Sequence, residues 1–193
     1  SQGNRETISL SEVEVGVNYA IVITTNSGLW RYLIGDTVKF TSLHPFRIVV
    51  SGRTRHFINA FGEELIIDNA EMAISQACKN TGAVITDYTA GPVYMDDKDT
   101  GGHEWLIEFE KEPDNFENFR FELDTELKRV NSDYDAKRTN DYTLKMPLVH
   151  AVPKNTFYEW LKSKNKLGGQ NKIPRLANSR WLIEELKGIL QEA

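Results

Sequence analysis

The chain has 193 residues, of which 40% are hydrophobic and 26% are charged, as in an ordinary globular protein. Its net charge of -5 argues against a nucleic-acid partner and against an anionic membrane surface, since both would select a basic face. Cys78 is the only cysteine, which excludes disulfides within the chain and disfavours a cysteine zinc site. The sequence has neither an apolar run of roughly 20 residues nor a signal-peptide pattern, so we expect a cytoplasmic protein.

The first quarter of the chain has the pattern of short strands separated by turns. Strands are predicted for residues 19–25, 29–34, 37–40 and 46–50, with further β pattern at 55–59. Gly35-Asp36 is predicted to be the hairpin turn between the second and third of these strands.

The rest of the chain alternates between helical and strand periodicity. Strands are predicted for residues 83–88, 103–109 and 145–152, with a charged turn at 95–102. Capping pairs predict three helix starts, and the last helix is predicted to start at Ser179: the pairs are Asp68 with Glu71, Asp114 with Glu117, and Thr156 with Glu159. Two apolar stripes support the longer helices: Ala70, Ile74, Ala77 and Cys78 in one, and Phe116, Phe119, Leu123, Leu127 and Val130 in the other.

This order of elements predicts an α+β fold in two parts. Residues 1–52 form a short all-β segment, and residues 53–193 form a compact α+β domain. The boundary is a sharp turn and not a long linker, so it is predicted to act as a hinge near Gly52–Arg55.

Three charged residues stand close after glycines in predicted turns and loops. Asp36 follows an aromatic strand, Arg53 follows a glycine after the next strand, and Lys172 follows the glycine-rich residues 168–169. A carboxylate can accept hydrogen bonds from two hydroxyl groups, and an arginine fork suits bidentate contacts with phosphate. Taken singly, each residue is also explained as a turn carboxylate, a surface cation or a solvated lysine.

Other common site patterns do not stand out. The four histidines, His44, His56, His103 and His150, lack the spacing of metal ligands, and no serine or cysteine triad is evident. The acidic run at residues 96–99 lacks the length and terminal glutamate of a calcium loop. We therefore predict no protein metal site.

Three stretches together resemble motifs of the auxin-responsive acyl-acid amido synthetases: Leu29-Trp30-Arg31-Tyr32-Leu33-Ile34-Gly35-Asp36, Ser51-Gly52-Arg53-Thr54-Arg55 and Gly168-Gly169-Gln170-Asn171-Lys172-Ile173-Pro174-Arg175. These synthetases belong to the adenylate-forming enzymes. The resemblance implies that Asp36, Arg53 and Tyr32 bind ATP, and that Lys172 is the catalytic lysine of adenylation. It also implies that the β segment ends a large N-terminal domain and that the α+β domain is its mobile C-terminal lid. Arg55 stands where the wider superfamily has an acidic hinge residue.

The reaction implied by the resemblance has two steps. A carboxylic acid and ATP, with Mg²⁺, give an acyl-adenylate and pyrophosphate. An amine, typically an amino acid, then attacks the acyl-adenylate to give an amide, and AMP leaves. The family's phosphate loop and acyl pocket are absent from the 193 residues, so the missing N-terminal domain is the implied partner and the fragment alone is expected to be inactive. Two alternatives stay open: an acyl-CoA-forming ligase of the same superfamily, and a non-catalytic α+β binding module.

Overall fold

The computed structural model describes residues 7–53, 57–95, 97–141, 143–168 and 172–192. Its contacts divide the chain into two compact units, Ser1–Thr54 and Arg55–Ala193. The predicted hinge residues Arg55 and His56 lie outside the described residues, as do residues 169–171 of the glycine-rich motif. The domain boundary after residue 52 stays a prediction.

The first unit is a three-stranded antiparallel sheet in the order β1-β2-β3. The strands are β1 (Asn18–Ile23), β2 (Tyr32–Leu43) and β3 (Phe46–Arg53). Val38 and Phe40 of β2 are buried, and the Phe40 ring contacts the edges of the Tyr19 and Phe46 rings. This cluster gives the small sheet an apolar centre.

The prediction of a hairpin turn at Gly35-Asp36 is wrong, because β2 continues through both residues. Along β1 and β2, Ala20 pairs with Thr37 but Val22 already pairs with Leu33, so the intervening β2 residues form a bulge. Gly35 has φ +96°, which glycine adopts readily and other residues resist. A Gly-Asp pair is common in hairpin turns and in bulges alike, which is why the sequence pattern misled.

The second unit is built around a sheet with helices on both faces. In sequence order its strands are β4 (Phe57–Ile58), β5 (Leu65–Ile66), β6 (Val84–Met95), β7 (Asp97–Lys111) and β8 (Leu148–Val152). The last three form one sheet in the order β6-β7-β8, antiparallel and then parallel, while β4 and β5 pair separately. The prediction of a charged turn at 95–102 is wrong, since most of these residues extend the β6–β7 hairpin.

The described part of this unit also contains the α-helices α1 (Ile67–Thr81), α2 (Phe116–Val130), α3 (Ser132–Arg138), α4 (Thr156–Ser163) and α5 (Trp181–Glu192). Trp105 and Ile107 pack in a core cluster with the apolar stripes of α1 and α2. Leu106, between them, packs with residues of α4 and α5. Because successive strand residues point to opposite faces, β7 is covered on both sides, and the α+β class is confirmed.

The helices begin close to the predicted positions, but other residues cap them. Helix α1 begins at Ile67, which places Asp68 inside its first turn. The Asn115 side chain, and not Asp114, accepts a hydrogen bond from the N–H of Asn118 and caps α2. Helix α3 was not predicted, because it is short and polar. No described helix is long and apolar enough to cross a bilayer.

Candidate functional site

Asp36 and Arg53 are brought together by the pairing of β2 with β3. They are direct cross-strand partners, followed by the pair Thr37 and Gly52. Asp36 is partly buried in the bulge, and Arg53 is the last residue of β3. The register therefore places two residues far apart in sequence on neighbouring strands at one end of the sheet.

Tyr32 lies at the start of β2 and pairs with Ile23 of β1, not with β3. Its side chain is about half exposed, at 51%. The preceding residue, Arg31, donates a backbone hydrogen bond to Thr24 Oγ1 at 3.2 Å and a guanidinium hydrogen bond to Thr7 Oγ1 at 2.8 Å. The aromatic end of the motif is thus fixed to the chain on either side of β1.

Lys172 is exposed, but the residues that follow it are firmly attached to the second unit. Ile173 is buried in the core cluster shared with α4 and α5. The carbonyl oxygen of Pro174 accepts a hydrogen bond from Thr89 Oγ1 at 2.7 Å. The main chain that follows Lys172 is therefore fixed to the second unit.

The same segment continues beside β6 as a short parallel bridge. The N–H of Ala90 donates to the carbonyl of Arg175 at 2.9 Å, and the N–H of Ala177 donates to the carbonyl of Ala90 at 3.0 Å. Gly91 permits this approach, because a Cβ there would lie 3.2 Å from the carbonyl oxygen of Ser179. Residues 172–177, which we call the lysine segment, are therefore held to the second unit by main-chain hydrogen bonds as well as by side chains.

Arg175 fastens the segment to helix α1 and strand β6. Its guanidinium forms an ion pair with Glu71 and lies 3.7 Å, measured from Nε, from Asp87 Oδ1. Its central carbon lies 5.2 Å from the centre of the Tyr88 ring, within the range of a cation–π contact. The sequence motif contained Arg175, but its partners lie far away along the chain and could not be read from it.

The positive charge of Lys172 affects the pKa of the Asp87 carboxyl. Burial raises the pKa of the Asp87 carboxyl, the N–H of Tyr88 opposes this, the charge of Glu108 adds to it, and the charge of Lys172 opposes it. The positive charge of Lys172 therefore acts on the carboxylate that Arg175 approaches on β6.

Buried polar pairs that the sequence did not reveal lie elsewhere in the second unit. Glu63 and His103, both fully buried, are 2.8 Å apart between Oε1 and Nε2. Asp124 is bound by Arg138 through two hydrogen bonds of 2.7 and 2.9 Å and by the Tyr134 hydroxyl at 2.8 Å. These polar residues resemble surface residues in the sequence, and only the fold shows them paired inside.

Glu104 attaches the C-terminal helix to the sheet. Its nearly buried carboxylate binds Arg180 at 2.8 Å and His150 at 2.9 Å, and it also pairs with Lys187 of α5. Burial alone would raise the pKa of Glu104, but the hydrogen bonds from Lys187 and Arg180 lower it below its usual value. Arg180, just before α5, and Lys187, within α5, thus both bind the same carboxylate of β7.

Metal ligation has no support within the part of the chain that the structure describes. Among those residues there is no group of three or more His, Cys, Asp or Glu side chains that could hold a metal ion.

The predicted site residues are divided between the two units. Asp36, Arg53 and Tyr32 belong to the first unit and Lys172 to the second.

Two family models match the chain. The model described as the GH3 family C-terminal domain matches residues 68–181, more than half of the chain, and the model described as the GH3 family central domain matches residues 1–53. The chain belongs to the GH3 family. The resemblance drawn from the three motifs is confirmed.

One curated GH3 relative is the probable indole-3-acetic acid-amido synthetase GH3.1 of Arabidopsis thaliana, which is 26% identical over 95% of this chain and 33% of its own length. The chain therefore spans about a third of the length of the curated relatives that it matches. The structure of GH3.15 acyl acid amido synthetase is similar, with a TM-score of 0.71, 22% identity, and coverage of 96% of this chain and 34% of that one.

A more distant fold similarity extends beyond the GH3 family. A structure of 2-hydroxyisobutyryl-CoA ligase in the postadenylation state, in complex with 2-HIB-AMP, matches with a TM-score of 0.54 and 15% identity, over 94% of this chain and 36% of that one. At this identity the similarity shows the fold alone.

Proposed function

We propose that this chain is the C-terminal part of an ATP-dependent acyl-acid amido synthetase, which adenylates a carboxylic acid and transfers the acyl group to an amine, typically an amino acid. The observation that carries the proposal is the presentation of Lys172. In a chain of the GH3 family, an exposed lysine follows the glycine-rich residues 168–169 and precedes a buried isoleucine and an anchored arginine.

Lys172 is proposed to act during adenylation. Its ammonium group would stabilise the negative charge that develops between the α-phosphate and the attacking carboxylate, as a preorganised charge does in a site from which water is excluded. Rotation of residues 53–193 relative to the rest of the enzyme would then withdraw Lys172 before the amine attacks. Anchoring of the segment to its own unit suits this role, because the lysine must move with that unit as one body.

Asp36, Arg53 and Tyr32 are proposed to bind the nucleotide. The Asp36 carboxylate would accept hydrogen bonds from the ribose hydroxyls, and Arg53, its cross-strand partner, would contact the ribose or the phosphates. Mg²⁺ would accompany ATP and be held through its phosphates. Bound there, it would neutralise phosphate charge.

The missing N-terminal domain of the same protein is proposed as the partner of residues 1–52. Apolar side chains lie exposed on this unit, with Trp30 at 79% and Val50 at 71% exposure, and Phe46, Ile48 and Val49 beside Val50 on β3. A contiguous apolar strand of this kind marks an interaction surface more often than a free one. We also propose a cytoplasmic location, as the cysteine usage suggests.

Acid-dependent exchange of pyrophosphate into ATP tests the proposal. The full-length protein, assayed against a panel of carboxylic acids, should catalyse exchange with at least one acid, while the 193-residue chain alone should be folded and inactive. Absence of exchange with every acid, together with failure to bind ATP, would favour a non-catalytic binding module. Thioester formation with coenzyme A in place of amide formation would identify an acyl-CoA ligase instead.

A further inference from the structure

We propose that Arg175 is a positioning residue for Lys172: its ion pair with Glu71, its contact with Asp87 and its place over Tyr88 fix the backbone from which the lysine reaches the adenylation centre. This inference rests on the proposed function. It concerns a residue that does not itself touch the reacting atoms, because its guanidinium is occupied by groups of its own unit.

The Tyr88 ring beneath Arg175 is buried and closely packed. Tyr88 is 1% exposed and its ring is stacked on that of Trp105, with centroids 5.6 Å apart and an interplanar angle of 27°. The Tyr88 hydroxyl donates a hydrogen bond to Glu71 Oε1 at 3.2 Å, which is the oxygen that pairs with Arg175. Helix α1, strand β6 and the lysine segment are therefore joined through one guanidinium group.

The link to Lys172 is short. Two residues separate the arginine from the lysine: Ile173 is buried, and the Pro174 carbonyl is bound to Thr89. On β6, Arg175 Nε also lies 3.7 Å from Asp87 Oδ1, which adds a second contact between the arginine and the body of the unit. Release of Arg175 would free one end of this segment, and a displacement of about 1 Å at a reacting group can cost up to a hundredfold in rate.

A set of variants in the full-length protein tests the inference. We expect Arg175→Gln and Glu71→Gln each to lower the rate of adenylation about tenfold, with Arg175→Lys in between, while amide formation from pre-made acyl-adenylate stays within about twofold. Arg120→Gln is the matched control. Arg120 lies in the same unit, pairs with Glu117 and donates a hydrogen bond to the carbonyl of Pro147. This variant should change neither half-reaction.

The deciding measurement is made in the Lys172→Ala background. If Arg175 acts through the lysine, Arg175→Gln should cause no further loss of adenylation once the lysine is gone. A further tenfold loss in that background would overturn the inference and assign Arg175 a direct or general structural role. Equal slowing of both half-reactions by Arg175→Gln would overturn it as well, and so would no effect on either. Lys172→Ala with unchanged adenylation would instead contradict the proposed function, and the inference with it.

Discussion

Asp36 and Arg53 face each other as cross-strand partners in the first unit, one within the bulge of β2 and the other at the last residue of β3. This pairing brings an acceptor-only side chain and a cationic residue to the same end of a small sheet. In the proposed enzyme the pair gives the nucleotide two contacts of opposite charge.

Asp36→Ala in the full-length protein should weaken ATP binding about tenfold or more. Each hydrogen bond to a charged group contributes about 1.5–3 kcal/mol, and 1.4 kcal/mol corresponds to a factor of ten in affinity. Calorimetric titration with ATP checks this, with Thr41→Ala as the control, since Thr41 is an exposed residue of the same strand. An unchanged affinity for ATP would return Asp36 to the role of a bulge residue.

Gly35→Ala should destabilise the first unit and weaken ATP binding together. A residue other than glycine at φ +96° is strained, at a cost of about 1–2 kcal/mol, and relief of that strain would move the neighbouring Asp36. Gly188→Ala is the opposite control. Gly188 lies in α5, where an added Cβ meets open space, so this change should stabilise the chain by about 0.5–1 kcal/mol. Urea unfolding measures both, and equal stability of wild type and Gly35→Ala would contradict the bulge.

Part of this fold was predictable from the sequence because its signals are local. The stripe of Phe119, Leu123 and Leu127 in α2 repeats at helical spacing, and all three residues are buried as expected. Helix α3 has no such stripe: its buried residues are Tyr134 and Arg138, and both are bound by Asp124 of the preceding helix. A short helix that is stabilised by a carboxylate of another helix has no periodic apolar pattern in its own sequence.

The candidate site divides in the same way. Asp36, Arg53 and Lys172 were predicted from motifs, since Asp36 and Arg53 each directly follow a glycine and Lys172 stands three residues after Gly169. The partners that hold the lysine segment could not be found so, because Glu71 and Asp87 meet Arg175 only through the packing of α1 and the final segment against β6.

The stability of the second unit should fall in acid, in part through Glu63. Burial alone would raise the pKa of Glu63, but the hydrogen bond and charge of His103, with backbone N–H groups, lower it below its ordinary value of 4.5. Because the folded pKa is the lower one, this contribution is present above about pH 5 and is lost as the pH falls through the folded pKa.

Glu63→Gln should therefore lower the free energy of unfolding at pH 7 by about 1–3 kcal/mol and flatten its decline below pH 5. Thermal unfolding between pH 3 and pH 7 provides the measurement. Glu159→Gln is the control, since Glu159 forms only an exposed pair with Lys162 and should change stability by less than about 1 kcal/mol. An acid limb as steep in Glu63→Gln as in wild type would contradict the assignment.

The central claim is that Lys172 serves adenylation and not amide formation, and Lys172→Ala in the full-length protein tests it most directly. A positioned charge contributes on the order of 3–4 kcal/mol to a transition state, so pyrophosphate exchange should slow by about 10²–10³. Amide formation from pre-made acyl-adenylate should stay within a few-fold of wild type, and Lys166→Ala, at a neighbouring exposed lysine, should alter neither rate. Equal slowing of both half-reactions by Lys172→Ala, or no slowing of either, would contradict the account.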